Sequence, residues 1–214
     1  PHKALFSWEN VYHTPYVLEW WSQNHGLDII GDIYKNGRNP ENPADVMTRL
    51  TGMTPAQFAD DLFEAHRHTV FLDFKHACEE TRPYIGNWPQ LPAAGAPEPG
   101  GFDARRLLAP LRGERIDVEF QGQSEDAKAG WRYGFVALTA DGTCQYSPIY
   151  NKEYARVSYT APRNQDVKEL YLVVMRTPLL HQAGREHRHG RQEAPASASY
   201  SITVTASRQL TSPD

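Results

Sequence analysis

Nine histidines, eleven tyrosines and five tryptophans give this 214-residue chain its chemical potential, so their spacing is the first question. A zinc-peptidase helix needs two imidazoles four residues apart with a glutamate after the first. No histidine here is followed directly by glutamate, and His76-Ala77-Cys78-Glu79-Glu80 lacks the second imidazole. His66 and His68 are two residues apart in a helical stretch, which turns their rings about 200° from each other and prevents chelation of one ion. His187 and His189 stand among Arg185, Arg188 and Arg191, a field that repels cations. These residues predict no metal site. A nucleophile is equally unmarked: there is no G-x-S-x-G elbow, no cysteine in a catalytic setting and no glycine loop followed by Lys-Ser/Thr. The neighbouring carboxylates Asp60-Asp61 and Glu79-Glu80 read as the solvent side of helices.

Aromatic residues carry the remaining signal. Trp20 and Trp21 are adjacent in the first predicted helix and diverge around its axis, so one is expected to line a groove or an interface while the other fills the core. Trp131, Tyr133 and Phe135 alternate along a predicted strand. Exposed, they would form a sugar-stacking platform; a single aromatic face on a sandwich strand is ordinarily core.

The first 85 residues read as helical. Thr14-Pro15, Asn42-Pro43 and Thr54-Pro55 each place a capping oxygen before a proline that needs no N–H and already has helical φ. Gln57 completes a capping box with Thr54, and that helix is predicted to run to about Lys75. Residues 26–34 predict a short buried helix with Leu27, Ile30 and Tyr34 on one stripe and Ile29 and Ile33 beside it; Gly37 closes it, and Gly52 closes the next. Between Trp88 and Gly101 the composition turns to Pro, Ala and Gly, which predicts an extended crossing. Beyond it the period becomes two: Ile116, Val118 and Phe120; Trp131 to Ala137; Val157 and Tyr159; the continuous run Leu170 to Met175; and Tyr200, Ile202 and Val204. The expected class is α+β, with a helical lobe over 1–87, a linker over 88–101 and an antiparallel β-sandwich over 102–214, jelly-roll and immunoglobulin-like topologies both being open. Residues 182–199 read as a long loop.

With 40% hydrophobic and 22% charged residues the chain is a globular type, and a formal net charge of −4 offers no basic footprint for nucleic acid. No apolar run approaches the roughly 18 residues a membrane span needs. Pro1 is followed at once by foldable sequence, which suggests a processed piece. Cys78 and Cys144 could form one bridge or stand as two free thiols.

The strings from Asn10-Val11-Tyr12-His13-Thr14-Pro15-Tyr16-Val17 to Leu18-Glu19-Trp20-Trp21, from His25 to Gly31, from Ala129-Gly130-Trp131-Arg132 to Tyr133-Gly134-Phe135, and from Leu170 to Met175 resemble the C-terminal portion of a family of large secreted bacterial and fungal proteins of unknown function. The resemblance spans about Leu5 to Pro178. Members of that family resemble gluzincin-type zinc peptidases, with the metal-binding helix upstream of the matched region and a helical lobe and β-sandwich after it. The resemblance implies that this chain holds the lobe and sandwich of a secreted, peptidase-like protein acting on extracellular glycoprotein or polymer. The zinc would sit on an upstream fragment, a partner, with none on this chain. It also implies a role for Tyr12 and His13, as donors to a tetrahedral oxyanion; the plainer reading packs the His13 ring beside the Thr14 cap. The segment from His181 to Ala198 replaces an acidic, Trp-rich one. A module in which the sandwich binds extracellular glycan or a protein partner through Trp20, Trp21, Trp131 and Tyr133, with the helices as scaffold, is the alternative.

Overall fold

A computed structural model describes residues 14–39, 41–75, 95–123, 130–178, 180 and 198–207. Four helices come first: α1 Thr14–His25, α2 Ile29–Asn36, α3 Pro43–Thr51 and α4 Pro55–Thr69. Seven strands follow among the described residues: β1 Phe102–Leu107, β2 Arg115–Gly122, β3 Trp131–Thr139, β4 Cys144–Tyr146, β5 Tyr154–Thr160, β6 Val167–Arg176 and β7 Tyr200–Ser207. They form two antiparallel sheets, ordered β1-β6-β3-β4 and β5-β2-β7. The fold is α+β, helices followed by a sandwich.

The helix starts follow their caps. Asn42 Oδ1 accepts from the N–H groups of Ala44 and Asp45 at 2.8 and 3.0 Å, and the Asp45 carboxylate answers the Asn42 N–H at 3.0 Å. Thr54 and Gln57 make the same reciprocal pair at the head of α4. At the end of α3, Gly52 adopts a left-handed φ of 70°, which a side chain would strain. Gly37 ends α2 in an extended conformation instead, with φ −59°.

Two helical expectations need correction. Helix α4 stops at Thr69, short of Lys75, because Leu72 turns left-handed at φ 52° and lets Phe71, Leu72 and Phe74 all be buried. A continuing helix would have placed Phe71 and Phe74 on one face but turned Leu72 about 100° from the first and about 160° from the second; burying all three offsets the roughly 1–2 kcal/mol of a left-handed residue. Helix α2 buries Ile29 and Ile33, while Leu27 and Tyr34 are exposed. The helix is one-sided rather than buried all round.

The layers explain the sequence pattern of the strands. Along β3 and β6, Val136, Leu138, Tyr171, Val173 and Met175 share a core with Trp21, Phe58, Leu62 and Phe63 of the helices. Their alternating neighbours Trp131, Tyr133, Phe135, Leu170, Leu172 and Val174 pack against Ile116, Val118, Phe120 and Val157 of the second sheet. Every residue of β3 is buried. A sheet covered on both faces reads as an unbroken apolar run, which is why Leu170 to Met175 shows no alternation. The same apolar core thus joins helices to strands across the predicted crossing. Of that crossing, residues 95–101 are described: His66 Nε2–H donates to the Gly100 carbonyl at 2.9 Å, and the His66 ring stacks on Phe102 at 4.3 Å.

At Gly122 an added Cβ would stand 2.2 Å from Trp131 Nε1. The indole occupies the volume that a side chain would need. Gly122→Ala is expected to lower the unfolding free energy by about 1–3 kcal/mol through overpacking, read as a shift in the urea midpoint. An unchanged midpoint would contradict this packing.

Candidate functional site

Titratable side chains concentrate where the helical layer meets the four-stranded sheet. Asp61 of α4 accepts hydrogen bonds from Trp20 Nε1 and Trp21 Nε1, both at 3.0 Å, and contacts His25 Nε2 at 3.1 Å. The two adjacent indoles diverge around α1, and the carboxylate stands between their edges. Trp21 is fully buried and Trp20 half-buried, its ring 4.4 Å from that of His68. The opposite neighbour of His68 is Tyr146, stacked at 4.4 Å. His68 Nδ1 lies 2.9 Å from the Glu64 carbonyl, which fixes that nitrogen as the protonated donor because a carbonyl can only accept. As the spacing predicted, His66 and His68 face different partners.

Asp73, Tyr146 and Cys144 complete the cluster. Tyr146 donates to Asp73 Oδ2 at 2.7 Å. Burial, with the Asp73 carboxylate nearby, raises the Tyr146 hydroxyl far above its ordinary pKa and pushes the Cys144 thiol up to about 12. Burial also pulls His68 below the usual imidazole value. Arg67, itself buried, pairs with Glu64, donates to the Ser147 carbonyl and lies 5.3 Å from both the Phe63 and Tyr146 rings. A cysteine, a histidine and an aspartate therefore meet here, but as neutral thiol and neutral imidazole. A nucleophilic cysteine needs the reverse, a thiolate stabilised by a cation. The cluster links α1 and α4 to β4.

Among the described residues, no three or more His, Cys, Asp or Glu side chains converge on a point that could hold a metal ion. Near one end of the sandwich, Arg112, Asp141, Asn164, Gln165 and Asp166 line a shallow polar depression. Its charges already have partners: Arg112 makes two hydrogen bonds to Asp166 at 2.6 and 2.7 Å, and Asp141 Oδ1 accepts from Thr139 Oγ1 and the Thr143 N–H.

A different surface has open hydrogen-bonding capacity. The odd residues of β2 face away from the core that holds Ile116, Val118 and Phe120. In register across the sheet lie the rows Tyr154–Gln121–Ser201, Arg156–Glu119–Thr203 and Ser158–Asp117–Thr205. Asp117 is nearly buried under Arg115 and Arg156, at 2.7 and 3.1 Å, and these guanidiniums hold its carboxyl below the ordinary value. Arg156 also approaches Glu119 at 4.0 Å, so two arginines balance two carboxylates. Tyr154 is 66% exposed at the end of this lattice. A solvent-facing ring beside amide, carboxylate, guanidinium and hydroxyl groups can stack on an apolar ligand face and bond its hydroxyls.

Of the sequence-predicted residues, Tyr12 and His13 lie outside the described residues, as does Cys78; Cys144 is a free thiol. Trp20 and Trp21 meet at Asp61. Trp131 and Tyr133 are brought together too, but within the inter-sheet core, their rings 5.7 and 4.0 Å from that of Phe120. At 1% and 0% exposure neither ring face is open to a ligand, and Phe135 is likewise buried, so the sugar platform imagined on that strand is core. Tyr154 escaped the sequence reading, although Val157 and Tyr159 as inward residues already imply the opposite parity for Tyr154, Arg156 and Ser158.

A family model described as a family of unknown function, DUF6055, matches residues 1–209. The chain belongs to DUF6055. No curated protein matches this DUF6055 chain. Among solved structures it is similar to a xylan-binding module, CBM15, at 9% identity and a TM-score of 0.32 over 53% of this chain and 75% of that one. It is also similar to Xylanase10C from Cellvibrio japonicus in complex with xylopentaose, at 8% identity and a TM-score of 0.29 over 54% and 23% of the two chains. Likenesses at these scores carry no weight for function. No helix among the described residues is long and apolar enough to cross a membrane.

The lowered pKa of His68 gives a signed prediction. The folded protein keeps this ring neutral at pH values where the unfolded chain, near the ordinary imidazole value of about 6.5, takes up a proton. The contribution is fully present above that value and is lost as pH falls toward the folded pKa. His68→Phe, which keeps a ring between Trp20 and Tyr146, is expected to flatten the fall in melting temperature between pH 7 and pH 5. An unaltered slope would contradict the assignment.

Proposed function

We propose that this DUF6055 chain is a binding module that recognises glycan on the outer face of its three-stranded sheet, with the helical layer as scaffold. The observation that carries this reading is the exposed Tyr154 ring in register with Gln121 and Ser201, beside the Arg156–Glu119–Thr203 row. Glycan recognition calls for one apolar platform and several fixed planar or hydroxylic partners, and this face supplies both. The ion pairs around Asp117 hold Arg156 in place before any ligand arrives, which lowers the ordering cost of binding. An extracellular setting, implied by the family resemblance, goes with this reading. The peptidase-like implication gains nothing from the described residues, since Tyr12 and His13 lie outside them and the one Cys–His–Asp cluster is held in unreactive protonation states.

Affinity electrophoresis of the full chain through gels containing soluble polysaccharides tests the proposal. Retardation by at least one polysaccharide is expected, with Tyr154→Ala weakening it about tenfold, as for an aromatic anchor. Trp20→Phe, remote from that face, should bind as wild type. Retardation that survives Tyr154→Ala unchanged would place the site elsewhere, and no retardation by any polysaccharide would count against glycan binding itself.

A further inference from the structure

Among the described residues the two sheets have four edge strands, β1, β4, β5 and β7. Three are guarded in ordinary ways: β1 carries Arg105 and Arg106, β4 is three residues long, and β5 carries Arg156. Short edges and edge charges prevent strand addition. Strand β7 has neither. Its eight residues, Tyr-Ser-Ile-Thr-Val-Thr-Ala-Ser, include no charge, no proline and no glycine. Among the described residues no strand lies beside its outer edge.

We propose that the outer edge of β7 between Ser201 and Thr205, beyond the Gly95 carbonyl that occupies it at Tyr200, pairs with the same segment of a second copy of this chain, antiparallel about a two-fold axis at Thr203. Backbone direction supports this. The Tyr200 N–H points away from β2, to the Gly95 carbonyl at 3.2 Å, whereas the Ser199 carbonyl faces β2 and accepts from the Gln123 N–H at 2.9 Å. Strand alternation then directs the N–H and C=O groups of Ile202 and Val204 to the open edge. About an axis at Thr203, Ile202 of one copy falls opposite Val204 of the other, and the two positions form hydrogen-bonded pairs on either side of the axis.

The side chains suit the same register. On the solvent face Thr203 meets Thr203 of the second copy, and Ser201 meets Thr205, pairs that contribute favourably across strands. On the inner face half-buried Ile202 meets Val204, which is 44% exposed although it pairs in register with fully buried Val118. The sandwich core is thus open at this lip, and a second strand would cover it. A strand with no charge repels no copy of itself, and the sequence Ser-Ile-Thr-Val-Thr is close to palindromic in chemistry about its centre. The occupant that satisfies both the edge and the lip is the strand itself.

Sedimentation equilibrium of the full chain from micromolar to roughly millimolar concentration tests this, with far-UV circular dichroism confirming the fold of each variant. Wild type is expected to show a concentration-dependent monomer–dimer equilibrium. Thr203→Lys sets two ammonium groups opposite each other at the axis on the solvent face and should weaken the dimer at least about tenfold. Val204→Pro, which removes an outward N–H and leaves the β2 ladder intact, should do the same. Thr203→Cys treated with oxidised glutathione, which accepts the two electrons as its own disulfide is reduced, should form a covalent dimer, since directly opposite residues of a non-hydrogen-bonded pair have Cα atoms about 4.5 Å apart. Ser158→Cys on β5 should not. A wild type monomeric throughout, or a dimer indifferent to both Thr203→Lys and Val204→Pro, would overturn the proposal.

Discussion

The structure depends on covering both faces of the four-stranded sheet. Its central strands β3 and β6 spend one set of alternate side chains on the helices and the other on the three-stranded sheet, leaving no polar face. Each apolar side chain buried in this way contributes about 1.5–3 kcal/mol, and the cost is geometric: both outer layers must be present for the middle one to be dry. The surface available for recognition on the sandwich therefore shifts outward, to the face of β5-β2-β7 that no other described element covers.

Polar groups trapped at the inner boundary follow from the same constraint. Where α4 crosses the sheet, Arg67 and Arg132 cannot stay in water, and each is matched: Arg67 by Glu64, the Ser147 carbonyl and two aromatic rings, Arg132 by Asp60 and the Ala56 carbonyl. His68, Tyr146 and Cys144 are kept neutral by burial. A buried charge must be paired or be neutralised, and this boundary uses both routes. The result fixes the angle of the helices on the sheet and leaves the residues most suggestive of catalysis in the states least suited to it.

Much of the frame was legible from residues alone because it is local. A capping oxygen before a proline fixes the starts of α3 and α4, and parity fixes the inward sets of β2 and β3. What escaped is what neighbours decide. Strand β1, Phe-Asp-Ala-Arg-Arg-Leu, carries little apolar alternation to mark it, and fully buried Asp103 is tolerated because the Tyr200 hydroxyl and the Gly95 N–H serve it. Leu27, just before α2, and Tyr34 within it are as apolar as Ile29 and Ile33, and only docking decides which of them are exposed. At the candidate site, the aromatic alternation of β3 is a mark of the core, whereas Tyr154 is set apart by exposure and cross-strand register, which only the folded sheet supplies.

Because helices and sheet share one core, the helical layer and the sandwich are expected to unfold as one cooperative body, although a Pro, Ala and Gly crossing separates them in sequence. Native-state hydrogen exchange measures this directly, amide by amide. Amides of α4, β3 and β6 are expected to share the slowest exchange and a common dependence on denaturant, because stripping the helices exposes the middle sheet. Exchange of α4 through a separate, much lower-energy opening, with β3 and β6 still protected, would contradict it.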